Sequence, residues 1–90
     1  MVVRRVDFSK KFKKDLKKAP PQIRSAFKKR LAIFFDNKND IMLNNHTLIG
    51  FYKGYRSINV TGDWRAIFRE FENGEVIYFE ILGTHSKLYG

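Results

Sequence analysis

Cysteine is absent from the 90 residues. That excludes disulfide frameworks, thiolate metal sites and cysteine nucleophiles together, and it fits a reducing compartment, here expected to be the cytoplasm. No apolar run is longer than the five residues Leu31 to Phe35, and Arg4, Arg5 and Asp7 interrupt the start, so neither a membrane span nor a secretory leader is expected. Histidine occurs only at positions 46 and 85, with no carboxylate pair flanking either, so no metal site is expected. A phosphate loop of the G-x-x-x-x-G-K type is also missing, which argues against a nucleotide hydrolase. Acidic groups are scarce, 9 against 18 Lys and Arg.

What the chain does have is apolar bulk and positive charge. Hydrophobic residues make up 43% and aromatic residues 16%, enough to bury one core without a metal or disulfide staple, and the expectation is one domain over residues 1–90. The net charge of +9 is unevenly placed: residues 1–38 carry +10 and residues 39–90 carry −1. A polycationic half attracts polyanions, so nucleic acid, ribosomes, anionic membranes and acidic proteins are all candidate partners.

The order of elements reads as an α+β chain: an N-terminal strand, a two-helix hairpin, then a twisted antiparallel β-meander. Val2 to Val6 is a short first strand suited to an edge. Ser9 caps a helix over Lys10 to Lys18 whose apolar stripe is Phe8, Phe12, Leu16 and Ala19. Pro20 stops it, and Pro21 suits the first turn of a second helix carrying Ile23, Phe27, Leu31 and Phe34 as far as Asn37. A polar loop runs to Asn45. Strands follow at Tyr55 to Val60, Trp64 to Phe71 and Glu75 to Leu82, with Asn73-Gly74 as the hairpin signal and Ile77, Phe79 and Ile81 on one face. The helices are expected to cover one sheet face and leave the other, with the C-terminal tail, free for function. Trp64, Phe68, Ile77, Phe79 and Ile81 are expected in the core.

Lys10, Lys11, Lys13, Lys14, Lys17 and Lys18 surround the first helix's stripe, and Arg24, Lys28, Lys29 and Arg30 continue the positive surface on the second. Two adjacent basic helices with little balancing acid fit a sequence-independent grip on phosphates better than a merely solvated face. In the second half, His46, Lys53, Arg56, Ser57, Asn59, Asp63, Arg65, His85 and Tyr89 lie near strand ends and loops, where small domains carry chemistry. Ser57 and Asn59 share a strand face by their spacing of two, and Arg56 points the other way. Histidine moves protons near neutral pH, Arg and Lys hold a phosphate gaining charge, and RNA brings its own 2′-hydroxyl nucleophile. This is the minimum kit of a metal-independent endoribonuclease that needs no small-molecule cofactor.

The run GYRSINVTGDWRAIF and the terminal IYFEILGTHSKLYG resemble the RelE/ParE toxin superfamily, specifically its YafQ-like branch. The resemblance spans essentially the whole chain and is most specific where H-x-L-x-G-x-x-K-G-Y-R, D-W and G-T-H-x-x-L-Y-G recur in order between residues 46 and 90. It implies a RelE-like fold, ribosome-dependent mRNA cleavage without a metal by 2′-hydroxyl attack on the adjacent phosphate, and silencing by an acidic antitoxin. Residue by residue it implies catalytic roles for His46, Asp63, Arg65, His85 and Tyr89, Arg65 standing where RelE places an arginine on the scissile phosphate. RNA and phosphate contacts are expected from Lys53, Arg56, Asn59, Lys10, Lys13, Lys14, Lys17 and Lys28. The chain departs from the branch where Ser57 and Asn59 replace an Asp and a His. Plainer roles stay open: His85 as a tail residue, His46 as a loop cap, Asp63 as the turn residue of T-G-D, Arg65 as a cross-sheet partner of Glu80, and Tyr89 as packing for the tail. So do a ParE-like inhibitor of DNA gyrase that cleaves nothing, and a catalytically degenerate RNA- or antitoxin-binding module.

Overall fold

The computed structural model describes residues 2–89. Met1 and Gly90, the ends of the expected 1–90 domain and the latter the last glycine of the terminal motif, lie outside the described residues. The elements are β1 (Arg5–Phe8), α1 (Lys10–Lys18), α2 (Pro21–Asp36), β2 (His46–Thr47), β3 (Arg56–Asn59), β4 (Trp64–Phe71), β5 (Val76–Thr84) and α3 (His85–Tyr89), with single 3₁₀ turns at Ile41–Leu43 and Gly50–Tyr52. The five strands form one sheet in the order β1-β5-β4-β3-β2; β1 runs parallel to β5 and every other pairing is antiparallel. This is the expected α+β architecture. Among the described residues no helix is long and apolar enough to cross a membrane.

The helices start and stop where their end chemistry dictates. Ser9 Oγ accepts the Phe12 amide at 2.9 Å and donates to the Glu80 carbonyl at 2.7 Å, so one hydroxyl both caps α1 and ties it to β5. At the far end the Arg24 guanidinium donates to the carbonyls of Lys17 and Ala19, satisfying acceptors that a helix C-terminus leaves open. Arg30 likewise donates to the carbonyls of Val60 and Met42. These two arginines, expected as a continuation of the basic surface, stay at least partly exposed and also crosslink the helices to neighbouring backbone.

The core is a phenylalanine cluster between α1, α2 and the sheet. Phe12, Phe34, Phe68 and Phe79 are fully buried, and Phe79 contacts Phe8, Phe12, Phe27, Phe34 and Phe68 with ring centroids between 5.3 and 5.8 Å. Offset and edge-on ring pairs in this range add to the stabilisation from burial alone. Phe8 reaches this cluster from β1 and not from the helix stripe, stacking on Phe12 at 5.4 Å. The first strand therefore begins three residues later than expected, because Val6 and Phe8 are the pair opposite Ile77 and Phe79.

Three further expectations need correcting. Strand β5 slips register between Ile67 and Phe68, leaving Glu80 unpaired, so the core side continues from Ile77 and Phe79 to Leu82 and not to Ile81. Trp64 is half-buried, packing against the core while also facing a surface groove. Nor are the second sheet face and the tail free: Ser57 and Ile67 on that face are fully buried, and α3 folds back so that a Cβ at Gly83 would lie 3.2 Å from the Leu88 side chain. A side chain at Gly83 would oblige Leu88 to shift by a few tenths of an ångström. The Asn73-Gly74 signal is realised as a turn in which Glu72, Asn73 and Gly74 all have positive φ.

Candidate functional site

The turn between β3 and β4 organises the polar end of the sheet. Thr61 Oγ1 accepts the amides of Asp63 and Trp64 at 3.4 and 3.1 Å, forming a local hydroxyl-stabilised turn. The Asp63 carbonyl accepts the His85 amide at 2.8 Å, so the first residue of α3 is pinned to this turn. Arg65 Nη1 donates to the carbonyls of Thr61 and Gly62 at 3.1 and 2.8 Å, which anchors the guanidinium at the same place. Across the sheet Arg65 is paired with Asn59 on one side and Gly83 on the other. The structure thus brings Asn59, Asp63, Arg65 and His85 together, with the rings of His85 and Tyr89, one helical turn apart, in tilted contact at 4.8 Å. Asp63 and His85 are both exposed.

Arg65 does not reach Glu80, whose carboxylate instead meets Arg69 at 2.8 Å and the Tyr55 hydroxyl at 3.3 Å. Arg69 also lies over the rings of Tyr55 and Phe71 at 5.2 and 5.4 Å. An acid partner on another arginine leaves Arg65 without a neutralising carboxylate among the described residues.

His46 stands elsewhere. It lies on the edge strand β2 opposite Ser57, exposed, with Nδ1 2.7 Å from the Asn44 carbonyl. Strands β3 and β4 separate β2 from β5, about 14 Å of sheet at roughly 4.8 Å per strand, so His46 and His85 flank the face without touching. Arg56 sits on the helix-covered face, its Nε donating to Asn45 Oδ1 at 2.8 Å, opposite in direction to Asn59 as strand alternation predicts. Lys53 is exposed beyond the 3₁₀ turn, and Lys10, Lys13, Lys14, Lys17 and Lys28 are exposed on the helices.

Ser57 Oγ and Asn59 Oδ1 are buried without a hydrogen-bond partner. Unpaired buried polar atoms are rare because each forfeits its hydration, so neither oxygen adds a protein hydrogen bond to the fold. Tyr52 was not legible as a site residue; its ring lies 5.8 Å from that of Tyr89 and its position follows only from the fold of the 3₁₀ turn. Among the described residues no group of three or more His, Asp or Glu is placed to hold a metal ion.

Comparison with known proteins gives a consistent picture. The family model described as "Bacterial toxin of type II toxin-antitoxin system, YafQ" matches residues 4–90. The mRNA interferase toxin YafQ of Escherichia coli K12 is 30% identical over the full length of both chains. The crystal structure of YafQ from E. coli BL21(DE3) superposes with a TM-score of 0.75 at 28% identity, covering 94% of this chain and 97% of that one. The E. coli DinJ-YafQ toxin-antitoxin complex gives 0.74 at 29% identity, covering 98% and 100%. The RelBE2 toxin-antitoxin complex of Mycobacterium tuberculosis, at 19% identity, shares the fold with a TM-score of 0.75 over 93% of this chain and 100% of that one.

Proposed function

Because the chain belongs to the YafQ family of bacterial toxins of type II toxin-antitoxin systems, we propose that it is an mRNA interferase, an endoribonuclease acting in the cytoplasm on mRNA held by the ribosome and silenced by a cognate acidic antitoxin. Residues 1–90 act as one domain.

The reaction needs no metal or cofactor. The 2′-oxygen of one nucleotide attacks the adjacent phosphorus and the 5′-oxygen of the next nucleotide leaves, giving a 2′,3′-cyclic phosphate and a 5′-hydroxyl. A base must remove the 2′-hydroxyl proton, an acid must protonate the departing oxygen, and a cation must hold the phosphate as charge builds. His85 takes one proton-transfer role, with His46 or Asp63 in the other, and Arg65 holds the phosphate through the guanidinium nitrogens not spent on Thr61 and Gly62. Tyr89, in tilted ring contact with His85, orients its ring. Lys53 and Asn59 line the path of the strand, and Arg56 supports it through Asn45. The lysines of α1 with Lys28 hold ribosomal RNA. The observation that carries this reading is the 2.8 Å bond from the His85 amide to the Asp63 carbonyl, which sets the terminal histidine beside the arginine-bearing turn.

Ser57 and Asn59 stand where the branch has an Asp and a His, so proton transfer falls on fewer groups. Primer extension on a defined mRNA in a reconstituted translation reaction tests the proposal. Cuts at codon positions that require ribosomes and fall by about 10²- to 10⁴-fold with His85→Ala support it. Intact mRNA with folded protein sinks it, and DNA-gyrase inhibition that survives the same substitution would replace it with a gyrase poison.

A further inference from the structure

Between α1 and α3, along the margin of β5 that β1 does not reach, runs a groove of about 340 Å³. Trp64 and Tyr52 line it, with Lys11, Lys18 and Lys87 around them. Its carboxylate, Asp15, is already engaged, accepting the Leu82 amide at 3.1 Å and pairing with Lys11 at 3.1 Å. Lys18 and Lys87 therefore face the groove with no ion pair among the described residues. The volume sits at the small end of ligand sites, which run about 300 to 1,000 Å³, a size suited to one nucleotide.

A second observation ties the groove to the proposed chemistry. From His85 the rings continue through Tyr89 (4.8 Å) to Tyr52 (5.8 Å) and then to Phe51 (5.1 Å), which is 93% exposed. A row of rings that runs from a groove bearing unpaired lysines out to a nearly naked phenylalanine is the pattern by which proteins hold single-stranded nucleic acid: bases stack on the rings and cations track the backbone.

We propose that this groove is a nucleotide subsite, in which one unpaired base of the RNA next to the cleaved bond stacks on Tyr52 while its phosphate lies between Lys18 and Lys87. Phe51 receives the following base. The inference rests on the endoribonuclease reading and adds to it the residues that hold the strand beyond the scissile phosphate.

Trp64 is the chain's one tryptophan, so its fluorescence reports on this groove directly. The probe is a fluorescein-labelled hexaribonucleotide with every 2′-hydroxyl methylated, which cannot be cleaved. Binding is expected to quench Trp64 saturably and to raise the probe's anisotropy over the same concentration range. Tyr52→Ala should weaken binding about 5- to 150-fold, the equivalent of one base-aromatic stack, while Tyr52→Phe keeps wild-type affinity. Exposed Lys18→Gln and Lys87→Gln, which put no buried packing at risk, should each lower affinity and flatten its salt dependence. Binding of the probe with Trp64 unchanged, affinity indifferent to Tyr52→Ala and both lysine changes, or no binding at millimolar probe overturns the subsite. Quenching by an acidic peptide but not by the oligonucleotide would assign the groove to a protein partner and overturn it too. Ribosome-dependent cleavage by the wild-type chain is scored separately, so loss of the subsite and loss of the nuclease reading are told apart.

Discussion

The backbone carbonyl of Asn44 and Nδ1 of His46 lie 2.7 Å apart. A carbonyl only accepts, so Nδ1 carries the proton and in the neutral ring Nε2 keeps the lone pair, the tautomer a general base requires. The carbonyl is aimed by the left-handed conformation of Asn44, φ 48 and ψ 49, which Asn tolerates better than other non-glycine residues. Asn44→Gly should therefore keep the tautomer and the cleavage rate, while the β-branched Asn44→Val, with a strain of about 1 to 2 kcal/mol in that region, should lose both. Nitrogen-15 shifts of the His46 ring read the tautomer without reference to activity. An unchanged ring spectrum in Asn44→Val would show that the carbonyl does not set it.

Arg65 is both anchored and uncompensated: Nη1 is held by two turn carbonyls, and the nearby acid Glu80 belongs to Arg69. Arg65→Lys keeps the charge but loses the fork that makes two bonds at once. Cleavage in the translation assay should fall by about 10²-fold, near the lower range for removing one preorganised charge-stabilising donor, with the melting temperature little changed. Wild-type cleavage by Arg65→Lys would remove the guanidinium from phosphate binding.

Ser57 is fully buried with Oγ unpaired. Removing an unsatisfied hydroxyl relieves a desolvation cost of about 1 kcal/mol, so Ser57→Ala should raise the melting temperature by roughly 4 to 8 °C for a domain of this size. Ser57→Asp, which restores the residue type of the branch, should lower it, because an ionised carboxylate there is cut off from water. Calorimetry on the two variants settles the sign, and a lower melting temperature for Ser57→Ala would mean that Oγ has a partner in solution.

The helix lysines give a quantitative expectation. Each phosphate neutralised contributes about 0.7 to 0.9 to the slope of log affinity against log salt. Changing Lys10, Lys13, Lys14 and Lys17 together to Gln should flatten the slope for ribosome binding by about 3 to 4. An unchanged slope would place α1 away from the ribosome.

Much of the fold was legible because single residues control element ends. Ser9 caps α1, Pro20 and Pro21 separate the helices, and Asn73-Gly74 closes the β4-β5 hairpin. The bulge at Glu80 was not, since nothing in the local alternation Ile77, Phe79, Ile81 marks the extra residue; it is fixed by the pairing of Ile67 and Phe68 on the neighbouring strand. The same limit applies at the candidate site. Asp63, Arg65 and His85 were readable from their motifs, but Tyr52 joins them through a ring contact with Tyr89, 37 positions further along the chain, which no periodicity records. The crosslinking roles of Arg24 and Arg30 were not legible, because a sequence does not show which carbonyls a guanidinium will find.

The parallel pairing of the first strand with the last has a consequence for when this protein becomes dangerous. Ser9 and Glu80 are 71 residues apart, and β1 has no partner other than β5 in the sheet. Closing so long a loop is entropically costly and is rewarded only when β5 is present. A ribosome delivers the N-terminus first, so β1 waits without a strand partner and Phe8 and Phe12 have only Phe27 of α2 to pack against until β5 emerges. The β1-β5 pairing that completes the sheet can therefore form only after β5 has been made, and a nascent chain short of β5 lacks the closed sheet on which Arg65 and His85 are set.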